Sequence, residues 1–160
     1  MTQTNIKGNV LIKIEKASPD DIQTITALVK RVAAHDVLPH FSAEGKAFFL
    51  DIVLRDVKTT FENASYHTFK LVDNDKLVGF SALREGNYLT HLFVDKCVQG
   101  KGWGAALLTR TFSFATSDEV TMRASVNAVP FYEKFGCEAI REEEEVNGIR
   151  FVNMRYTLKS

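Results

Sequence analysis

Cysteine and proline are scarce: two and three in 160 residues. Cys97 and Cys137 do not form a CxxC pair, so they build neither a zinc knuckle nor a redox dithiol. Two isolated thiols fit a reducing compartment, which disfavours a disulfide between them. No apolar run approaches the ~18–20 residues that span a bilayer. Met1 to Asn9 is polar and lacks the apolar stretch of a signal peptide, so the cytoplasm is the expected location and no membrane partner is expected. Charge of one sign is also lacking. Twenty basic and twenty acidic residues cancel, so no global field recruits nucleic acid. No basic patch carries interleaved aromatics either, and no nucleic-acid partner is expected. His35, His40 and His67 fall on different predicted elements without ligand spacing, so no metal is expected. Repeats, low-complexity tracts and Pro/Gly-rich linkers are missing as well.

What is present suits one core. Hydrophobic residues make up 45% of the chain and twelve are Phe. A single domain is expected over 10–160, after a flexible start over 1–9. Val10 to Glu15 alternates as a strand. Ser18-Pro19-Asp20-Asp21 starts a helix by capping, fixed φ and acids at the positive dipole end. Ile22, Ile25, Leu28, Val29 and Val32 are its stripe. A second helix follows Ser42, with Phe49, Ile52, Val53 and Val57 at helical spacing.

An antiparallel meander comes next: His67 to Val72, Lys76 to Arg84 and Tyr88 to Asp95. Asp73-Asn74-Asp75 and Gly86-Asn87 are its turns. A glycine turn at 100–104 then opens a helix to about Ser117, with Leu107, Leu108 and Phe112 inward. Val120 to Val126 is a strand, and strand–helix–strand implies a parallel crossover. A short helix runs from Val129 to Phe135. A hairpin turning at Asn147-Gly148 ends the chain.

The glycine turn carries the first chemical signal. Gly100, Gly102 and Gly104 let a ligand approach the backbone. They sit where a helix begins, so free N–H groups and the dipole converge on an anion, best a phosphate. Lys101 adds charge or simply faces solvent. The spacing is wrong for a P-loop. It does fit the dinucleotide fingerprint as Gly100-x-Gly102-x-x-Ala105, with Asp118 or Glu119 as the ribose acid. Against this, a meander precedes the loop and little chain follows. The plain alternative is a helix start that binds nothing.

Two blocks, taken together, resemble the GNAT-type N-acetyltransferases. The first is Leu92-Phe93-Val94-Asp95 followed by Gln99-Gly100-Lys101-Gly102-Trp103-Gly104-Ala105, similar to the family's Gln/Arg-x-x-Gly-x-Gly/Ala pyrophosphate block. The second is Asn127-Ala128-Val129-Pro130-Phe131-Tyr132-Glu133-Lys134-Phe135-Gly136-Cys137, with Cys137 where Phe is commoner. The resemblance implies an α/β GNAT fold: a mixed, mostly antiparallel sheet of about six or seven strands, splayed at the cofactor site and flanked by about four helices. It implies transfer of an acetyl group from acetyl-CoA, as co-substrate, to a primary amine of a small molecule or peptide.

By the same resemblance, pantetheine lies along Leu92, Phe93 and Val94. The pyrophosphate takes N–H groups from Gly100 to Ala105, and Asn127 and Phe131 complete the cofactor site. Tyr132 is the expected acid toward the thiolate; its plain alternative is a core aromatic. In relatives the base is often a carboxylate or His on the strand ending at Val94, or a water chain. His91 is the candidate here, its plain alternative a satisfied structural His, with Glu85 a weaker option. Tyr88 and Thr90 stand where some relatives carry an acid or His. Strand alternation turns His91 away from the face of Thr90 unless a bulge intervenes. The segment Asp36 to Gly45, with Phe41, Ser42 and Glu44, resembles one that walls the acceptor in relatives, although Ser42 is equally a helix cap. Glu142 to Glu145 either attract a cationic amine or form a solvated charged strand. Family members often dimerise, so a homodimer is compatible. Two other functions stand beside transfer: a non-catalytic acyl-CoA sensor and a dinucleotide-binding oxidoreductase.

Overall fold

The computed structural model describes residues 3–7 and 10–158. Nine strands form a single sheet among these residues. In chain order the elements are β1 (Gln3–Lys7), β2 (Val10–Lys16), α1 (Ile22–Asp36), α2 (Ala43–Thr59), β3 (Tyr66–Asp73), β4 (Lys76–Arg84), β5 (Tyr88–Val94), α3 (Trp103–Phe112), β6 (Glu119–Ser125), α4 (Val129–Phe135), β7 (Glu138–Ala139), β8 (Glu144–Val146) and β9 (Ile149–Thr157). The sheet runs β1-β2-β3-β4-β5-β6-β9-β7, with β8 also paired to β9. Every pairing is antiparallel except that of β5 with β6. Among the described residues no helix is long and apolar enough to cross a membrane.

Local sequence signals account for most boundaries. The Ser18 N–H donates to Asp21 Oδ2 at 2.9 Å, closing the entry to α1. Ser42 Oγ accepts from the Gly45 N–H at 3.1 Å and caps α2. Asn74 and Asp75 both take positive φ, as do Asn147 and Gly148. A two-residue turn that matches strand twist needs that conformation.

The sheet has a core on each face. α1 and α2 place Ile25, Leu28, Val29 and Val57 against Phe80 and Ala82. On the other face α3 sets Leu107 against Ile14 and Leu71, and Leu108 and Phe112 against Val120, Met122 and Met154. β4 lies under helices on both faces, which is why it is buried almost throughout.

Several expectations change. Nine strands replace six or seven because the two-residue β7 also pairs with β9 and β1 precedes β2, while β8 and β9 are the hairpin expected at Asn147-Gly148. The start expected to be flexible therefore carries an edge strand, with Lys7 opposite Val10. Of that expected start, residues 1, 2, 8 and 9 lie outside the described residues. The turn after β4 centres on Glu85 and Gly86, the two with positive φ, and not on Gly86-Asn87. α3 stops at Phe112, short of Ser117, because the Thr116 N–H bonds to Gly86 O at 3.0 Å instead of to the helix. Val126 leaves β6 for a short helical turn. Both cysteines are free thiols.

Candidate active site

β5 and β6 begin as parallel neighbours and then part. Only Tyr88 with Thr121 and Leu89 with Met122 are in register. Beyond them β5 stays on β4 as far as Val94, while β6 stays on β9 as far as Ser125. The backbone of Leu92, Phe93 and Val94 therefore has one edge free of strand partners. A groove of about 750 Å³ opens along it. Its walls are this edge, the glycine loop, Ser125 to Ala128 and α4, with Val32, Phe49 and Val53 of α1 and α2 opposite.

The glycine loop is shaped for something that approaches from outside. Gly100 and Gly102 have φ of +78° and +87°, and a β-carbon on either would meet nothing within 4 Å. Glycine is needed there for backbone conformation and open access, not for packing. The first intrahelical bond of α3 runs from the Ala106 N–H to Gly102 O at 3.0 Å. The N–H groups of Trp103, Gly104 and Ala105 come before that ladder, at the positive end of the dipole. Gly104 differs, since a β-carbon there would lie 3.2 Å from the Phe131 ring. It lets α4 pack close to the loop.

A bulge decides which face His91 presents. Ala82 pairs with His91 and Leu83 with Leu89, leaving Thr90 as the extra residue of β5. The bulge resets the alternation, so His91 turns to the α1–α2 face with Phe93, while Leu92 and Val94 pack toward α3. His91 is buried yet lines the groove. Phe80 and Phe93 lie 5.6 and 6.3 Å from its ring. Burial lowers its pKa from 6.5 to about 4, so the ring is neutral at physiological pH. Thr90 Oγ1 lies 2.8 Å from its Nδ1 and 3.3 Å from Ala82 O.

Tyr132 enters from the opposite wall. It is buried on α4 and lines the groove. No described residue hydrogen-bonds to its hydroxyl. Burial chiefly, then the neighbouring Cys137 and Tyr88, push its pKa far above 10, so it is a proton donor and not a phenolate. Burial likewise pushes the Cys137 thiol up to about 11.

Of the residues expected at the site, His91, Leu92, Phe93, Val94, Gln99, Gly100, Gly102, Gly104, Ala105, Asn127, Phe131 and Tyr132 line this one groove. Lys101 and Trp103 do not. Lys101 faces solvent, and the Trp103 ring packs on the cluster of Val98 and Leu107, so neither side chain reaches the groove. Phe41 packs edge-on against Phe49 at 5.4 Å, and Ser42 is occupied as a cap. Of the weaker candidates Thr90 reaches the groove; Tyr88, Glu85 and Glu44 do not. The Glu142 to Glu145 run lies off the groove, with Glu143 paired to Arg150 and Glu144 to Arg141 at 2.7 Å each. Glu144 and Glu145 begin β8, and Glu142 and Glu143 precede it. No cluster of three metal-binding side chains occurs among the described residues.

Sequence reasoning passed over Asp56 and Arg123, which also line the groove, as do Asp36, the first residue of the segment expected to wall the acceptor, and Lys134 of the second motif block, neither of which had been given a role. Burial raises the Asp56 carboxyl above its ordinary pKa, against the attraction of Arg55 and Arg84. The helical register of Phe49, Val53 and Asp56 was the available signal for Asp56. Nothing local marked Arg123.

Residues 37–158 match the family model of the acetyltransferase (GNAT) domain. The chain belongs to the GNAT family. It is therefore an acetyltransferase, and the parallel dinucleotide fold has no place in its mostly antiparallel sheet. An Escherichia coli relative, the uncharacterized N-acetyltransferase YafP, is 28% identical over 148 residues, covering 91% of this chain and 95% of that one. A GCN5-related N-acetyltransferase from Rhodopseudomonas palustris superposes with a TM-score of 0.76 at 20% identity, over 91% of this GNAT chain and 94% of the other. PaiA N-acetyltransferase from Thermoplasma acidophilum, solved in complex with coenzyme A, gives 0.70 at 19% identity over 91% and 98%.

Proposed function

We propose that this GNAT chain transfers the acetyl group of acetyl-CoA to a primary amine of a small molecule or peptide, by direct attack within a ternary complex. The observation that carries the reading is the parting of β5 from β6, with the glycine helix start at one end of the groove and His91 and Tyr132 lining it. The free edge at Leu92 to Val94 suits the amides of pantetheine, and the N–H groups at the start of α3 suit a pyrophosphate.

The amine nitrogen attacks the thioester carbonyl, forming the C–N bond. The C–S bond then breaks, and the proton leaves nitrogen as the thiolate departs. Tyr132, held protonated, hydrogen-bonds that thiolate through its O–H or passes it the proton, which solvent then restores to the phenol. His91 is the proposed acceptor of the proton from nitrogen. When Thr90 donates to Ala82 O, its oxygen accepts from Nδ1–H and Nε2 keeps a lone pair. A basicity near pKa 4 is low for this task. His91 then acts by relaying the proton onward, toward water, and not by holding it.

Free-thiol release from acetyl-CoA across a panel of polyamines, amino acids, aminoglycosides and peptides tests the reading. Tyr132→Phe is expected to lower kcat by about 100-fold or more while CoA affinity changes little. Thiol release with none of the amines, or undiminished turnover in Tyr132→Phe, counts against it.

A further inference from the structure

A tie between α1 and the glycine loop is not used by the chemistry above. Asp36 is the last residue of α1, and its side chain is 17% exposed. Its Oδ2 accepts from Gln99 Nε2 at 2.8 Å. The same Nε2 donates to Val94 O, also at 2.8 Å. A carboxamide nitrogen has two hydrogens, and here each has its own acceptor, so the amide orientation is fixed from both sides. Val94 O lies on the edge that β6 has left. Its partner is Gln99 and not a strand.

A second tie runs in parallel. Arg31 of α1 donates to Asp95 Oδ2 through Nε at 3.0 Å and NH2 at 2.7 Å. Asp95 Oδ1 in turn accepts from the Cys97 N–H at 3.4 Å. The segment from Asp95 to Gln99 is thus clamped onto α1 at both ends, just before the glycines that must meet an anion. A carboxylate beside an anion site is electrostatically unfavourable for the ligand. Lys96 Nζ, 3.7 Å from Asp36 Oδ1, offsets only part of that charge.

We propose that Asp36 is a positioning residue for the acyl-CoA site: it locks Gln99, and through Gln99 the Val94 carbonyl and the entry to the Gly100–Gly104 turn. This rests on the acyl-CoA reading above. Asp36 is not a catalytic residue, since it acts through Gln99.

Titrating CoA calorimetrically into wild type, Asp36→Ala and Asp36→Asn, with ligand-free Tm measured alongside, tests it. Losing a hydrogen bond to a charged group should raise the CoA Kd and the acetyl-CoA KM of Asp36→Ala about tenfold, with kcat within about threefold of wild type. Asp36→Asn keeps an acceptor for Gln99 and removes the charge, so it should bind CoA at least as tightly as wild type. If Asp36→Ala does not fold, Asp36→Leu carries the same expectation, because it keeps the side-chain bulk but offers Gln99 no acceptor. An Asp36→Ala Kd within about twofold of wild type, even with a lowered Tm, shows a merely structural tie and overturns the proposal. So does an Asp36→Asn as weak as Asp36→Ala. CoA binding by wild type that these variants leave unchanged sinks this proposal alone; no CoA binding by wild type sinks it together with the acyl-CoA reading.

Discussion

His91 shows how burial alone sets a protonation state. Its folded pKa of about 4 lies below the ordinary 6.5, so between those values the unfolded chain binds a proton that the native chain does not. The stability that neutral His91 contributes is complete above about pH 6.5. It declines as pH falls toward about 4, by up to about 3 kcal/mol. In His91→Gln, urea unfolding should lose that part of the decline between about pH 7 and pH 4.5. Equal slopes in the two proteins would show that the imidazole is not buried in solution. For the same reason kcat/KM should show no His inflection near pH 6.5, only the titration of the acceptor amine.

Two sets of glycines belong to different elements and do different work. Gly45, in the first turn of α2, abuts the turn between β8 and β9: a β-carbon there would collide with Gly148 O. The Ser42 N–H also bonds to that oxygen, at 3.4 Å. The docked hairpin leaves no room, so Gly45→Ala should lower stability in urea unfolding by about 1–3 kcal/mol. Gly100→Ala meets no neighbour and should cost only its left-handed backbone, about 1–2 kcal/mol. Its larger effect should be on CoA affinity measured by calorimetry. If Gly100→Ala binds CoA like wild type, the glycine loop is a bare helix start.

At the scale of the molecule, the sheet is two blocks joined at β5 and β6 by two residue pairs. α3 connects them, packing with Leu107 on the β2–β4 block and with Leu108 and Phe112 on the β6 and β9 block. A ligand lying in the groove would touch both blocks. Saturation with CoA at about a hundred times its Kd should therefore add about 2.7 kcal/mol and raise Tm by about 5–10 °C. A dinucleotide at the same concentration should leave Tm unmoved. The reverse ranking would mean that the groove takes a different nucleotide.

Short-range physics made much of this legible in the sequence. Caps at Ser18 and Ser42, the Asn147-Gly148 turn, the alternation of Val120, Met122 and Ala124, and the glycine helix start are each decided within about one turn of chain. They placed four helices and most of the strands, and with the two motif blocks they pointed to the groove. The tertiary structure alone supplied the bulge at Thr90, which decides the face His91 presents, and the tie from Asp36 to Gln99, 63 positions apart. The register of β5 against β4, and the seat of α1 over the loop, are set by packing among distant segments. Pairings at that separation leave no periodic trace in either segment, because each residue's own neighbours along the chain do not depend on them.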